Sequence, residues 1–283
     1  MSLLRALLLA ALAMLAFAGN SLLCRLALKS GSIDAASFTS VRLLSGAVVL
    51  ALIVRVRSGA MSKSGDWPSA LALFVYAAGF SAAYLQLSTA SGALLLFGAV
   101  QLTMIAVGLW RGERLKALQW TGLAAAGVGL VEMLLPGLAS PPLLGSLLMV
   151  SAGVAWGVYS LRGRGKGDAT AVTAGNFWRA SLLALLLSLV TLGTAHVQIS
   201  GLLLAVASGA VASGLGYSIW YTALRGLSPA TAASIQLTVP AIAAMGAVVF
   251  LGEPVTQRLL VTSLVILGGV ALVIWGKVRS TRQ

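Results

Sequence analysis

Apolar residues fall into ten long runs separated by short polar segments, and this pattern predicts ten membrane-spanning helices. Each run is about as long as a helix must be to cross the hydrocarbon core of a bilayer. The predicted segments cover residues 3–27, 35–54, 67–88, 91–110, 117–135, 143–161, 170–193, 198–224, 229–250 and 257–276. Because the connecting segments are too short for a separate soluble domain, the pattern predicts an all-α protein with a single membrane domain.

The second half of the chain repeats the pattern of the first. In both halves a Tyr-x-x-Leu sequence leads through a helix of small residues to Gly-Glu and then to another apolar run. Earlier positions also match: Phe17, Ser21, Arg25 and Arg42 correspond to Trp156, Ser160, Arg164 and Arg179. Each copy holds five segments, an odd number, so the second copy must enter the membrane from the opposite side. The chain is therefore predicted to be a 5+5 inverted-topology repeat, as in many secondary transporters.

A proline-rich segment, PGLASPP at 136–142, separates the two copies. No helix crosses such a segment easily, so the repeats are expected to cover 1–136 and 143–283. The first segment also imitates a secretory signal peptide, with Arg5, an apolar run and the triplet Ala16-Phe17-Ala18. Against cleavage, the apolar run continues to Leu28 and its pattern recurs in the sixth segment, so we expect this segment to be retained.

Composition and charge support a membrane protein. With 59% hydrophobic and 9% charged residues, the chain is too apolar for a soluble domain of its size. The net charge of +13 could indicate nucleic-acid binding, but the basic residues sort by membrane side. If the N-terminus is cytoplasmic, fourteen of the 19 Lys and Arg lie in inner segments and only Arg25, Lys29 and Arg258 in outer ones. This bias predicts a multi-pass inner (plasma) membrane protein with both termini cytoplasmic and no affinity for nucleic acid.

With five plus five segments, and Gly-Glu closing the fourth and ninth, the chain resembles the drug/metabolite transporter superfamily of the EamA type. Within that superfamily it is most similar to the YddG-type aromatic amino-acid exporters. The resemblance covers nearly the whole chain and implies a central cavity lined by segments 1, 3, 4, 6, 8 and 9, with segments 5 and 10 at the periphery. One departure from symmetry is Pro240 in the ninth segment, where the fourth has Val100, and it predicts a kink in the ninth alone.

Aromatic and amide side chains on the segments expected to line the cavity are candidates for substrate binding. Rings would suit a small amphipathic or aromatic metabolite, although an aromatic stripe is more often part of a core. Two glutamines near the midplane could bind a carboxylate or an ammonium group, or they could hydrogen-bond a neighbouring helix. The candidates are Tyr76, Phe80, Trp156, Tyr217, Trp220, Gln101 and Gln236.

Two pairs of residues that match between the repeats are candidate gates. Asn20 and Tyr84 fall in the outer half of the membrane, and their counterparts Tyr159 and Tyr221 fall in the inner half. Alternating closure would bring together Asn20 with Tyr84 outside and Tyr159 with Tyr221 inside. The alternative is that these side chains only pack or lie in the interfacial aromatic belts.

Charged residues inside or next to the predicted helices could likewise have either a functional or a structural role. Arg42 and Arg179 could contact a substrate carboxylate, but each lies in the first half of its segment, which favours snorkelling or capping. Glu113 and Glu253 end helices, so we expect them to cap the following helix or to pair with a nearby arginine such as Arg114 or Arg258.

Several absences in the sequence narrow the function. No Asp or Glu lies in the middle of a segment, and the only histidine, His196, falls in an outer loop. Proton-driven carriers generally need such a group within the membrane, so we expect no strong proton coupling. The sequence also lacks the metalloprotease, phosphate-loop and nucleophile motifs, which argues against an enzyme and against a bound metal or cofactor.

Together these features predict a secondary transporter that acts as a monomer in the lipid bilayer and exports small metabolites by alternating access. Aromatic and other apolar amino acids are the favoured substrates. One alternative on the same fold is an exporter of another metabolite, a drug or a nucleotide sugar. Another is a channel or a structural membrane subunit.

Overall fold

The computed structural model describes residues 2–58, 64–112, 114–135, 140–163, 168–227 and 229–281. Almost all of them are helical, and the only β pairing in these ranges is a bridge between Ile33 and Val197. The first five helices are α1 (Leu3–Lys29), α2 (Ala35–Ser58), α3 (Trp67–Tyr84), α4 (Thr89–Trp110) and α5 (Ala117–Leu134). They are followed by α6 (Leu143–Gly163), α7 (Ala169–Val190), α8 (Ile199–Val206), α9 (Gly216–Leu224), α10 (Pro229–Gln236), α11 (Val239–Leu251) and α12 (Gln257–Thr281).

Nine helical segments in the described ranges are long and apolar enough to cross a membrane. The predicted third span, α3, is not among them; it has 18 residues and buries Ser69, Tyr76, Ser81 and Tyr84. Because α3 packs against α2, α6 and α7, its polar side chains meet protein rather than lipid. The all-α membrane fold is thus confirmed, whereas the count of ten spans and the side of each terminus stay predictions.

The predicted third segment extends four residues too far. The helix ends at Tyr84, and the chain turns before Ser88, whose hydroxyl accepts a hydrogen bond from the Ser91 amide and caps α4. Serine competes well for this capping position because its side chain satisfies an amide that the first helical turn leaves free. Hydropathy alone missed this boundary, since the residues around the turn are mostly apolar.

The ninth span is broken and the fourth is not. Helix α10 ends at Gln236 and α11 begins at Val239, with Pro240 in its first turn, whereas α4 runs without interruption. Proline has no amide hydrogen to donate, so the carbonyl one turn earlier loses its helical partner. Irregular backbone at membrane depth is tolerated where it faces protein or a cavity, and Gln236 at this break lines the cavity described below.

The eighth span contains a nine-residue π-helix, Ala207–Leu215, between α8 and α9. Its counterpart in the first repeat, α3, is a regular α-helix. The π segment lies so close to α2 that a Cβ atom on Gly209 would be 2.1 Å from the carbonyl oxygen of Arg42. π-helices are rare and often occur at functional sites, and no sequence pattern predicted this one.

We call the end of the bundle at which α1 begins the proximal end and the opposite end the distal end. At the distal end the loop after α1 is tied to the segment before α8. The Asp34 amide donates to the carbonyl of His196 (3.1 Å), and the Asp34 carboxylate accepts from the His196 amide (3.0 Å). Partial burial raises the pKa of the Asp34 carboxyl, but hydrogen bonds from Ser37 and His196 outweigh it and hold the pKa below its ordinary value.

Helix α5 packs along α12, and two glycines let their backbones approach closely. A Cβ atom on Gly269 would lie 2.5 Å from the carbonyl oxygen of Gly122 and 2.7 Å from the amide nitrogen of Ala126. A Cβ on the adjacent Gly268 would meet no atom within 4 Å. Alanine substitutions at these two neighbouring positions therefore distinguish the effect of helix packing from the effect of intrinsic helix propensity.

We expect Gly269→Ala to lower the thermal unfolding temperature of the purified protein, because overpacking costs about 1–3 kcal/mol. Gly268→Ala is the matched control and should leave Tm unchanged or raise it slightly, since alanine favours the helix. Equal Tm values for the two variants would contradict the close packing of α5 on α12.

Candidate substrate cavity

A small cavity lies at the centre of the bundle. Its volume is about 20 Å³, which is enough for roughly one water molecule. Every lining residue comes from spans 1, 3, 4, 6, 8 or 9, the spans that the resemblance implies. The lining residues are Phe17, Asn20, Ser21, Tyr76, Phe80, Leu96, Phe97, Trp156, Ala212, Ser213, Tyr217 and Gln236.

Aromatic rings fill most of the space around this cavity. The Trp156 ring is central, with its centroid 4.8 Å from that of Tyr76, 5.3 Å from Tyr159 and 5.2 Å from Tyr217. Phe17 extends the cluster by an edge-to-face contact with Tyr217 at 5.5 Å. The rings come from both halves of the chain and leave room for about one water molecule between them.

Five of the seven predicted binding residues line the cavity: Tyr76, Phe80, Trp156, Tyr217 and Gln236. The other two lie just outside its wall. Trp220 packs behind Phe17, with ring centroids 6.2 Å apart. Gln101 is buried one turn below Phe97 on the same face of α4, and its Nε2 has no hydrogen-bond partner in the described part of the chain.

Arg42 is 1% exposed and lies directly behind the cavity wall. Its Nη2 donates to the Tyr76 hydroxyl (2.8 Å) and its Nε to Ser213 Oγ (3.4 Å). The guanidinium carbon is 5.1 Å from the ring centroid of Tyr76 and 4.9 Å from that of Phe80, within the range of cation–π attraction. The depth of Arg42 differs from the snorkelling expected from its place near the start of α2.

Arg179, the repeat counterpart of Arg42, has a different environment. Its Nη1 donates to the carbonyl oxygens of Ser64 (3.0 Å) and Gly175 (2.9 Å) at the proximal end. Nearby, the Asn176 side chain accepts a hydrogen bond from the Asp66 amide (2.9 Å). These contacts hold the segment that leads into α3, so Arg179 occupies a capping position rather than the cavity.

A part-buried ion pair joins helices at the distal end. Arg25 Nε lies 3.1 Å from Glu253 Oε1, and Arg25 Nη1 also donates to the carbonyl oxygen of Tyr84 (2.8 Å). The second carboxylate oxygen of Glu253 accepts from the amide of Thr89 at the start of α4 (2.7 Å). One cluster thus joins α1, α3, α4 and the end of α11.

Glu253 pairs with an arginine, as one of the two expectations had it, but the partner is Arg25 and not Arg258. Arg258 instead donates to the carbonyl oxygens of Glu132 and Leu135. Helix α11 ends at Leu251, and the following Gly252, with a φ of +61°, turns the chain so that Glu253 points back toward Arg25. Its repeat counterpart, Glu113, lies outside the described residues.

The proximal gate candidates are brought together by a third residue. The Tyr159 hydroxyl donates to Thr173 Oγ1 (3.4 Å), which donates to the Tyr221 hydroxyl (3.1 Å). Sequence reasoning did not single out Thr173, because nothing in the sequence distinguishes it from Thr170, the other threonine of α7.

The distal gate candidates bond to other helices instead. Asn20 Oδ1 accepts from Ser208 Oγ of the π-helix (2.6 Å). The Tyr84 hydroxyl donates to the carbonyl oxygen of Thr89 (3.3 Å). At the distal end, Arg25 and Glu253 make a direct contact between helices, and the contact of Asn20 with Tyr84 on closure stays a prediction.

The chain is similar in sequence to known transporters and to an uncharacterized protein, and in fold to a protein of known structure. Residues 143–275 match the EamA-like transporter family. An uncharacterized protein of Pseudomonas aeruginosa, PA1977, is 54% identical over 271 residues, which cover 95% of this chain and 94% of that protein. The threonine/homoserine exporter RhtA of Salmonella typhimurium is 30% identical over 154 residues, or 54% of this chain and 52% of the exporter. A protein crystal structure that is 20% identical superposes with a TM-score of 0.68 over 95% of this chain and 96% of its own, and it shares the fold.

The Arg25–Glu253 pair predicts a measurable coupling. Glu253→Gln keeps the shape of the side chain but leaves Arg25 without a counter-charge, and breaking a buried pair costs about 3–5 kcal/mol. We therefore expect a lower Tm for this variant. In a double-mutant cycle with Arg25→Gln, the stability loss of the double variant should be smaller than the sum of the losses of the two single variants.

Arg162→Gln is the matched control for this cycle. Its ion pair with Asp66 is 3.0 Å long, but the Arg162 side chain is 40% exposed, so solvent screens the interaction. Its Tm should fall by much less than that of Glu253→Gln. Strictly additive losses for Arg25 and Glu253 would show that the pair does not fasten the distal end.

Proposed function

We propose that the chain is a secondary transporter that exports amino acids by alternating access, and the premise is the match of residues 143–275 to the EamA-like transporter family. The proposal covers a bacterial inner membrane protein whose proximal end faces the cytoplasm and whose functional unit is the monomer. The observation that carries it is the closed cavity between the repeats, in which aromatic rings surround a few amide and hydroxyl groups. A multi-pass transporter of small molecules needs a site of this kind at the junction of its repeats.

The lining favours a small amphipathic substrate. Tyr76, Phe80 and Trp156 offer apolar and aromatic surface, whereas Asn20 and Gln236 offer amide donors and acceptors. An amino acid with an apolar side chain matches both kinds of group, because its side chain can pack on the rings and its charged groups can bind the amides. The relatives named threonine/homoserine exporters support amino acids as the substrate class.

Transport requires the two ends to open in turn. A cavity of about 20 Å³ cannot hold an amino acid, so loading must separate the aromatic rings and release one closure. We assign the proximal gate to Tyr159, Thr173 and Tyr221, which link α6, α7 and α9. We assign the distal gate to Arg25, Glu253 and Tyr84, whose carbonyl accepts from Arg25, and place Asn20 in the cavity wall.

The cavity also supports transport without strong proton coupling. In the described part of the chain, the residues that line it include no carboxylate and no histidine. Coupling to protons generally needs a group of that kind within the membrane. Export would then follow the concentration gradient of the substrate itself.

Uptake of labelled phenylalanine, tryptophan, methionine and threonine into proteoliposomes tests the proposal. We expect saturable uptake of some of them, accelerated by the same unlabelled amino acid on the other side and indifferent to an imposed pH gradient. Flux that rises linearly with concentration and shows no counterflow would favour a channel. Absence of competition by any amino acid, with normal folding, would move the substrate to another class of metabolite.

Thr173→Val removes the hydroxyl that joins the two proximal tyrosines while it conserves shape. Each lost hydrogen bond contributes about 0.5–1.5 kcal/mol, so the proximal-open state should become several-fold more populated. In a Cys24→Ser background, a cysteine at Ala212 in the cavity wall reports this opening. In membrane vesicles of known orientation, an impermeant thiol reagent applied at the proximal face should modify it faster in the Thr173→Val protein.

Thr121→Val provides the control, because the exposed Thr121 hydroxyl donates to the Leu118 carbonyl within α5, away from both gates. Its modification rate should equal that of the parent. An equal rate for Thr173→Val would remove the hydroxyl chain from the proximal gate.

A further inference from the structure

Arg42 is a buried cation that pairs with no carboxylate of the described residues. The described part of the chain holds two ion pairs, Arg25 with Glu253 and Arg162 with Asp66, and neither includes Arg42. Its side chain is 1% exposed although it lies within a membrane-spanning helix. An ionised group buried without a partner is costly, and in membrane proteins such groups commonly mark a substrate or ion pathway.

The neighbours of Arg42 satisfy it only in part. The Tyr76 hydroxyl accepts from Nη2 and Ser213 Oγ accepts a long bond from Nε, but Nη1 has no partner among the described residues. The ring faces of Tyr76 and Phe80 attract the guanidinium without neutralising it. A planar fork of donors with one nitrogen free is well suited to a carboxylate, which can accept two parallel hydrogen bonds.

All three neighbours of the guanidinium also line the cavity. Tyr76, Phe80 and Ser213 have one side toward Arg42 and another toward the cavity space. A small outward movement of Ser213, whose bond to Arg42 is 3.4 Å long, would open the guanidinium to a bound molecule. Because the Tyr76 hydroxyl accepts from Arg42, its own proton is available to donate to the same ligand.

We propose that Arg42 binds the carboxylate of the transported substrate, with Tyr76 and Ser213 as its supporting polar contacts. This inference rests on the proposed function, since it takes the cavity to be the transport site. It also defines the substrate class: a carboxylate must accompany the apolar body, so an amine or amide of the same shape is not carried. Arg179 is not assigned a second site of this kind, because its Nη1 donates to two backbone carbonyls and it is absent from the cavity lining.

Three ligands of similar shape separate the contributions of charge. L-Phenylalanine carries a carboxylate and an ammonium group, 3-phenylpropionate carries the carboxylate alone, and L-phenylalaninamide has no carboxylate. In thermal unfolding of the purified protein, we expect the first two to raise Tm and the third to leave it unchanged. Arg42→Gln should abolish the shift by both carboxylates, and Arg42→Lys should retain part of it because the charge remains.

Transport and ligand-free stability add two further measurements. Arg42→Gln should raise the phenylalanine concentration for half-maximal uptake by about tenfold or more, as expected for the loss of a hydrogen bond to a charged group. Its Tm without ligand should equal or exceed that of the wild type, because an unneutralised buried cation is removed. A residue with only a structural role would lower that Tm.

Arg179→Gln is the matched control from the second repeat. It loses hydrogen bonds to Ser64 and Gly175, so its Tm should fall while its discrimination between phenylalanine and phenylalaninamide persists. If Arg42→Gln responds to the three ligands as the wild type does, Arg42 is not the carboxylate site.

Failure of the two proposals is distinguishable. If the wild type transports none of the labelled amino acids, amino-acid export is wrong, but stabilisation by 3-phenylpropionate that requires Arg42 would still support a carboxylate site. If 3-phenylpropionate and phenylalanine do not stabilise the wild type at all, the carboxylate site itself is overturned.

Discussion

A polar group inside a bilayer must find its partner within the protein, and the position of α3 depends on this requirement. Three arginines from three other helices hold it. Arg25 donates to the Tyr84 carbonyl at its distal end, Arg42 to the Tyr76 hydroxyl in its middle, and Arg179 to the Ser64 carbonyl just before it begins. Because α3 also carries part of the aromatic wall, the bonds from Arg25 and Arg179 near its two ends fix one side of the cavity, whereas Arg42 behind its middle stays only partly paired. Weak hydropathy is acceptable in a helix that is surrounded in this way.

The repeat explains the scaffold, while departures from the repeat produce the site. The counterpart of α3 contains the π-helix, which brings Ser208 to Asn20 and Ser213 to Arg42. The counterpart of α4 is broken between α10 and α11, where Gln236 meets the cavity. The contacts at the two ends differ in the same way, since an ion pair joins helices at the distal end and hydroxyl groups join them at the proximal end. If the predicted duplication supplied two similar halves, these local changes would give each half its own role.

The apolar pattern was sufficient to predict the helices, and the resemblance implied which of them line the cavity, but neither could define how each helix is rotated. A helix that is apolar on all sides gives no periodic signal for the face that meets its neighbours. Gln101 and Trp220 were therefore placed on suitable helices yet outside the cavity wall. Partners distant in the chain were equally inaccessible: Arg25 and Glu253 lie in the first and last parts of the sequence, and Arg258 was the nearer choice. Backbone departures such as the π-helix have no residue code that separates them from an α-helix.

The small cavity and the buried Arg42 together suggest how a bound substrate would promote transport. Closing the empty protein packs aromatic rings against one another, which is favourable, but it leaves the guanidinium without a counter-charge in a medium of low polarity. A carboxylate in the cavity would neutralise that charge, and its pairing would be strongest when both ends are closed and water is excluded. The ligand would thus stabilise the closed state more than the open states, and only such differential binding can shift a conformational equilibrium. In the proposed mechanism, burying Arg42 without a carboxylate partner is costly. The loaded protein therefore passes through the closed state more readily than the empty protein does.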